Sequence, residues 1–118
     1  MGTAAFDLNG FVQAYAQRLR QRIRVERILL FGSYARGEAL ANSDLDLLVV
    51  SPDFGRDYLQ NVVLLQRCLP PREVLIDVDT IARTPEEVAS VEPDSFLATI
   101  LAEAVLLFEA RPGTPARL

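Results

Sequence analysis

Between Phe11 and Ile23 the apolar residues Phe11, Val12, Tyr15, Leu19 and Ile23 recur at steps near three and four, which predicts an amphipathic helix with Asp7 or Asn9 as its cap. Val25 to Phe31 is rich in branched and aromatic residues and stops at Gly32, the pattern of a buried strand. The stretch Tyr34 to Leu40 allows at most a brief helix before the polar Asn42-Ser43 pair, and Asp44 to Val50 reads as the second strand. After the Ser51-Pro52-Asp53 and Gly55 loop, Tyr58, Val62, Leu65 and Leu69 repeat at helical spacing until Pro70-Pro71 ends the run. Val74 to Ile81 alternates apolar with acidic or polar residues and predicts a third strand, and Thr84-Pro85-Glu86-Glu87 reads as a helix start capped by Thr84.

The last predicted element is one helix from about Asp94 to Glu109. Its apolar residues Phe96, Leu97, Ile100, Leu101, Val105, Leu106 and Phe108 leave little polar surface, which suits either core packing or a partner interface. Together these elements predict an α/β (α+β) fold, a small mixed sheet of three or more strands flanked by helices. Residues 1–110 are expected to form a single domain, with 111–118, marked by Pro112, Gly113 and Pro115, as a flexible tail.

Composition narrows the picture. Half of the 118 residues are apolar and 24% are charged, the balance of a chain that folds around a core. The single cysteine, Cys68, has no intramolecular partner, and Met1 to Asn9 lack the basic start and apolar core of a secretion signal, so a cytoplasmic location is expected. No apolar run approaches the roughly 20 residues needed to span a bilayer. A formal charge of −4 argues against a generic nucleic-acid binder, although all 12 basic residues are arginine. Arg18, Arg20, Arg22, Arg24 and Arg27 crowd together, and as residues of a helix and the following strand they point in several directions, which suits a solvated face better than a contact with RNA or an acidic partner.

The chemistry concentrates in Leu30-Phe31-Gly32-Ser33-Tyr34-Ala35-Arg36-Gly37 and in Ser43-Asp44-Leu45-Asp46-Leu47. A strand period of two puts Asp44 and Asp46 on one face, and two like charges at the start of an apolar strand cost free energy unless a cation offsets them. Mg²⁺, which takes one or two carboxylates plus substrate phosphates, suits that role. Gly32 allows a tight turn, and Ser33 can offer a hydroxyl and an amide to phosphate. If the first two strands are neighbours, the turn and the aspartates share one sheet edge, and a triphosphate can bridge them through its metal. A third carboxylate is expected from the third strand, where Asp77 and Asp79 share a face. The implied reaction is attack of an acceptor hydroxyl on an α-phosphorus with pyrophosphate leaving. Each part alone has an ordinary structural explanation, a turn or a polar strand start; their joint spacing points to chemistry.

Gly32-Ser33, ten residues, then Asp44-Leu45-Asp46 resembles the signature of the minimal nucleotidyltransferase family of the DNA polymerase β superfamily, as do the adjoining Tyr-Ala-Arg-Gly and Ser-Asp-x-Asp-Leu stretches. The resemblance covers nearly the whole chain and implies a polymerase-β-like nucleotidyltransferase fold. It implies that Asp44, Asp46 and Asp79 are the catalytic and Mg²⁺-binding carboxylates, with Asp77 as the fallback for the third. It further implies that Gly32 and Ser33 hold the β- and γ-phosphates of ATP and that Arg36 steadies phosphate or acceptor, although an exposed arginine in such a turn also suits a solvated or local ion-pair role. Family members often pair with a helical HEPN-domain protein as toxin and antitoxin, the nucleotidyltransferase adding AMP to its partner. That implies a HEPN partner, a protein or RNA acceptor and a homo- or hetero-oligomer. A module that keeps the nucleotide site but acts by masking a partner, and a structural domain without such a site, are the competing readings. Clustered like charges favour catalysis over both.

Overall fold

The computed structural model describes residues 6–40, 43–71 and 76–110. Its elements in chain order are α1 (Leu8–Arg20), β1 (Arg27–Phe31), β2 (Leu45–Val50), α2 (Tyr58–Arg67), β3 (Val78–Arg83), α3 (Pro85–Ala89), α4 (Phe96–Glu103) and β4 (Val105–Glu109). The expected opening of the third strand at Val74, Asn42 of the polar pair and the tail 111–118 lie outside the described residues.

The strands form a four-stranded mixed sheet in the order β3-β2-β1-β4. β1 runs antiparallel to both β2 and β4, while β2 and β3 are parallel. Parallel neighbours need a crossover connection, and α2 lies within the one that joins β2 to β3. Because side chains alternate along a strand, β1 and β2 each feed two cores. Ile28, Leu30, Leu45, Leu47 and Val49 pack with Phe11, Val12, Tyr15 and Leu19 of α1 and Leu65 of α2. Leu29, Phe31, Leu48 and Val50 pack on the other face with Ile100 of α4 and partly buried Val88 of α3. β2 is apolar on both faces after Asp46, as its central position between β3 and β1 requires.

The caps follow the sequence. Asp7 accepts a hydrogen bond from the Gly10 amide at 3.0 Å and starts α1. Asp57 accepts from the Gln60 amide at 3.1 Å and starts α2. Thr84 and Glu87 form a reciprocal capping box at α3, the Glu87 amide donating to Thr84 at 3.2 Å and the Thr84 amide to Glu87 at 2.8 Å. Ser33 to Gly37 forms turns, and no helix occurs between Tyr34 and Leu40. The third strand ends at Arg83 rather than Ile81, because it pairs residue for residue with β2, from Leu45 opposite Val78 to Val50 opposite Arg83.

One expected element is corrected. The helix expected to reach Glu109 stops at Glu103, Ala104 turns extended at φ −65° and ψ 142°, and Val105–Glu109 becomes β4. An apolar run of this length satisfies either period. The choice is made by the edge of β1, whose outward amides and carbonyls need partners and find them in β4, from Arg27 opposite Glu109 to Leu30 opposite Val105. The register slips between Ile28 and Leu29, which lets Leu107 turn to pack beside the α1 core.

Tyr15 ties α1 to α2: its buried hydroxyl donates to the Leu65 carbonyl at 2.8 Å, and burial pushes its own ionisation far upward. Tyr15→Phe leaves that carbonyl without this donor and should lower stability by about 1 kcal/mol. Urea unfolding should show a lower midpoint at unchanged slope; an unshifted midpoint would mean that the bond adds nothing.

Candidate functional site

Asp46 sits one residue into β2, opposite Phe31 across the antiparallel pair and opposite Asp79 across the parallel pair. Paired residues in register share a face, so Asp46 and Asp79 lie side by side on the face that carries Leu48 and Val50. Asp44 lies two residues earlier and on the same side by the strand period. Asp46 is half-buried, whereas Asp44 and Asp79 are exposed. Asp77 falls just before β3, where its carbonyl accepts from the Leu45 amide at 2.8 Å. It is not among the charges that act on Asp46, so the structure brings Asp79 rather than Asp77 beside the pair.

The turn after β1 closes on this group. Gly32 adopts φ +75°, a left-handed conformation that side-chain-bearing residues rarely hold. A Cβ at this position would collide with the Asp46 carboxylate. Glycine is thus required twice, for the turn and for the close approach. Beyond it the Arg36 amide donates to the Gly32 carbonyl at 3.1 Å and the Glu38 amide to the Ser33 carbonyl at 2.9 Å, folding the loop back on itself. The Ser33 hydroxyl and the amides of Ser33, Tyr34 and Ala35 make no hydrogen bond among the described residues. The Gly32 amide, in contrast, donates to Glu103 at 2.7 Å.

Electrostatics follow from this crowding. Burial first, then the charges of Asp79 and Asp44, push the Asp46 carboxyl above the ordinary carboxylate range, with Glu103 adding to the rise and Arg36 opposing it. Arg36 is exposed and already engaged, its Nε donating to Glu38 at 2.8 Å and its Nη1 to Glu103 at 3.0 Å. The Gly32 amide and then Arg36 hold the Glu103 carboxyl below its usual range. Glu103 was not singled out in the sequence because it lay inside an expected long helix; the helix end at Ala104 is what turns it toward the Gly32 turn.

Three carboxylates with only an engaged arginine opposing them form an all-oxygen, hard donor set, and such a set fits a divalent cation of the Mg²⁺ type. Among the described residues no group of three carboxylates is already gathered as a metal cage.

The arginine cluster dissolves into separate contacts. Arg24 holds Asp53 at 2.6 Å, Arg20 lies 5.9 Å from the Phe108 ring centroid, and Arg27 is 3.7 Å from Glu26. Arg18 and Arg22 instead join Arg67, Leu59 and Val63 around an open groove of about 590 Å³. That groove lies on the α1 and α2 side of the sheet, across from the acidic edge. No helix among the described residues is long and apolar enough to cross a membrane.

A mixed sheet whose central strand opens on paired carboxylates, with a Gly-Ser turn folded against them, defines an α+β protein of nucleotidyltransferase type. Residues 12–106 match the family model described as a nucleotidyltransferase domain, and the chain belongs to that family. A Methanocaldococcus jannaschii protein named for protein adenylyltransferase activity is 31% identical over 93 residues, covering 75% of this chain and 91% of that one. A Thermococcus cleftensis protein adenylyltransferase, MntA, is 44% identical over 43 residues, 36% of this chain and 43% of that one. Among solved structures, a Sulfolobus solfataricus protein described as a nucleotidyltransferase superposes with a TM-score of 0.54 at 20% identity, covering 92% of each chain. A toxin-antitoxin crystal structure with AMP-PNP superposes at 0.57 and 19% identity, covering 88% of this chain and 75% of that one. At those identities the two structures establish the fold.

Because the folded-state pKa of Asp46 is raised, its contribution favours folding below the ordinary carboxylate range and is lost as pH rises through the raised value. At neutral pH without divalent cation, Asp46→Asn should therefore raise stability by about 0.5 kcal/mol after allowance for solvent screening, roughly 2 °C in melting temperature. Added Mg²⁺ should stabilise the wild-type protein and leave Asp46→Asn unmoved in thermal denaturation. Equal Mg²⁺ responses would remove Asp46 from any cation site.

Proposed function

We propose that the protein is a Mg²⁺-dependent adenylyltransferase that moves AMP from ATP to a hydroxyl of a partner protein. The observation that carries this reading is the placement of Asp46 between Asp79 and the Gly32-Ser33 turn. That position puts an electrostatically uncompensated carboxylate pair beside unpaired amides suited to phosphate. Asp44, Asp46 and Asp79 would hold the metal, which when bound supplies charge neutralisation for the triphosphate and the leaving group. Ser33 contributes its hydroxyl and, with Tyr34 and Ala35, its amide to the phosphates, and Gly32 lets that backbone come close. Arg36 stands at the rim and adds positive charge to an otherwise acidic edge.

The acceptor oxygen attacks the α-phosphorus, a new P–O bond forms, and the bond to the bridging oxygen of the β-phosphate breaks to release pyrophosphate. Asp79, exposed and paired opposite Asp46, would orient the acceptor hydroxyl and take up its proton. Asp46 must be ionised to serve, and the bound cation would offset the burial and the neighbouring carboxylates that oppose its ionisation.

The names of the relatives support a protein acceptor over RNA. The toxin-antitoxin structures, together with the family resemblance, support a HEPN-domain toxin as that acceptor, with this chain as antitoxin and the two forming a hetero-oligomer. The unpaired buried cysteine suits a cytoplasmic setting.

Incubation of the protein with α-³²P-ATP, Mg²⁺ and the product of the gene beside its own should label that product. Asp46→Asn should lower the rate by at least ~10³-fold, the scale of losing a charge-stabilising group in a transition state. A stable complex without label, unchanged by Asp46→Asn, would instead support a masking module; label on RNA alone would overturn the protein acceptor.

A further inference from the structure

The Gly32-Ser33 turn is braced from outside its own segment. Glu103, the last residue of α4, is 71 residues away in sequence, yet its Oε2 accepts from the Gly32 amide at 2.7 Å and its carboxylate oxygens accept from Arg36 Nη1 at 3.0 and 3.3 Å. Both ends of the short loop are thereby tied to one carboxylate: its first residue, Gly32, through the backbone and its fifth, Arg36, through the guanidinium.

The division of donors is informative. The Gly32 amide is consumed by Glu103, while the next three amides, of Ser33, Tyr34 and Ala35, and the Ser33 hydroxyl make no hydrogen bond among the described residues. An amide already bound to a carboxylate cannot also bind phosphate, so the phosphate role expected of Gly32 moves to the residues after it. A left-handed residue followed by a tight turn leaves successive amides on one concave side only while the turn holds its shape. Within the loop, backbone hydrogen bonds from Arg36 to Gly32, Gly37 to Tyr34 and Glu38 to Ser33 fold the chain, and Tyr34 and Ala35 pack beside the α1 core, but the Gly32 amide itself is held by Glu103. Charge-assisted hydrogen bonds to backbone amides are among the stronger local restraints available.

We infer that Glu103 is a positioning residue that locks the Gly32 turn so that the Ser33, Tyr34 and Ala35 amides and the Ser33 hydroxyl together form the triphosphate cradle. The inference rests on the nucleotide-transfer reading and adds to it a residue that touches neither metal nor substrate. It also gives the α4-to-β4 junction a function: the break at Ala104 brings Glu103 to the turn, and β4 pairing with β1 fixes it there.

The test is calorimetric binding of α,β-methylene-ATP with Mg²⁺, and of AMP, to the wild type, Glu103→Ala, Glu103→Gln and Glu103→Asp, with amide hydrogen exchange at Ser33 to Ala35. Glu103→Ala should weaken the triphosphate roughly tenfold, the scale of one hydrogen bond to a charged group. AMP affinity should stay within about twofold, since it lacks the β- and γ-phosphates, and the loop amides should exchange faster. Glu103→Gln, which still accepts from Gly32, should recover part of the loss. If Glu103→Ala does not fold, the glutamine and aspartate variants carry the same comparison. Triphosphate binding that is unchanged, tightened or lost equally with AMP would overturn the inference while leaving the transfer reading intact. A wild-type protein that binds neither nucleotide would overturn both.

Discussion

The carboxylate of Asp46 lies against the α-carbon of Gly32, and the geometry of the site depends on that approach. It joins the two halves of the motif, which are separated in sequence but fixed in space by the antiparallel register that sets Phe31 opposite Asp46. A side chain at position 32 would push the carboxylate away and force the turn out of its left-handed conformation. The parallel register on the other side of β2 then sets Asp79 beside Asp46. Two hydrogen-bonded ladders, one of each sense, thus converge on a single side chain, and β2 carries the chemistry because it alone pairs in both senses.

This arrangement opposes part of the folding energy. The apolar strand after Asp46 is buried on both faces and anchors the sheet, while its first turn gathers like charges that raise the Asp46 pKa. A fold optimised for stability alone would place a neutral residue there. The acidic edge makes sense as a site whose missing counter-charge arrives with the ligand, which is how binding and catalysis draw on stored electrostatic free energy.

Much of this was legible in the sequence, for identifiable reasons. Phe11, Val12, Tyr15, Leu19 and Ile23 are all buried as their spacing implied, and the Thr84 to Glu87 capping box appears as read. Gly32, Asp44 and Asp46 could be brought together from strand period and neighbour pairing alone. The C-terminal segment could not, because Val105 to Phe108 satisfies helical and extended periods alike and its state is decided by the unpaired edge of β1, a property of the assembled sheet. The same ambiguity hid Glu103, whose position depends on the helix ending at Ala104. Asp77 and Asp79 were equivalent by period; only the register with β2 separates them.

The most direct test of the central claim, that a divalent cation is held by the carboxylates at the mouth of β2 beside the Gly32 turn, is paramagnetic broadening of backbone amide signals by Mn²⁺, which favours the same oxygen ligands as Mg²⁺. The account predicts that sub-stoichiometric Mn²⁺ first broadens Asp44 to Asp46, Asp79 and Gly32 to Ala35, and that excess Mg²⁺ reverses the effect. Broadening centred elsewhere, or none at these residues, would contradict it.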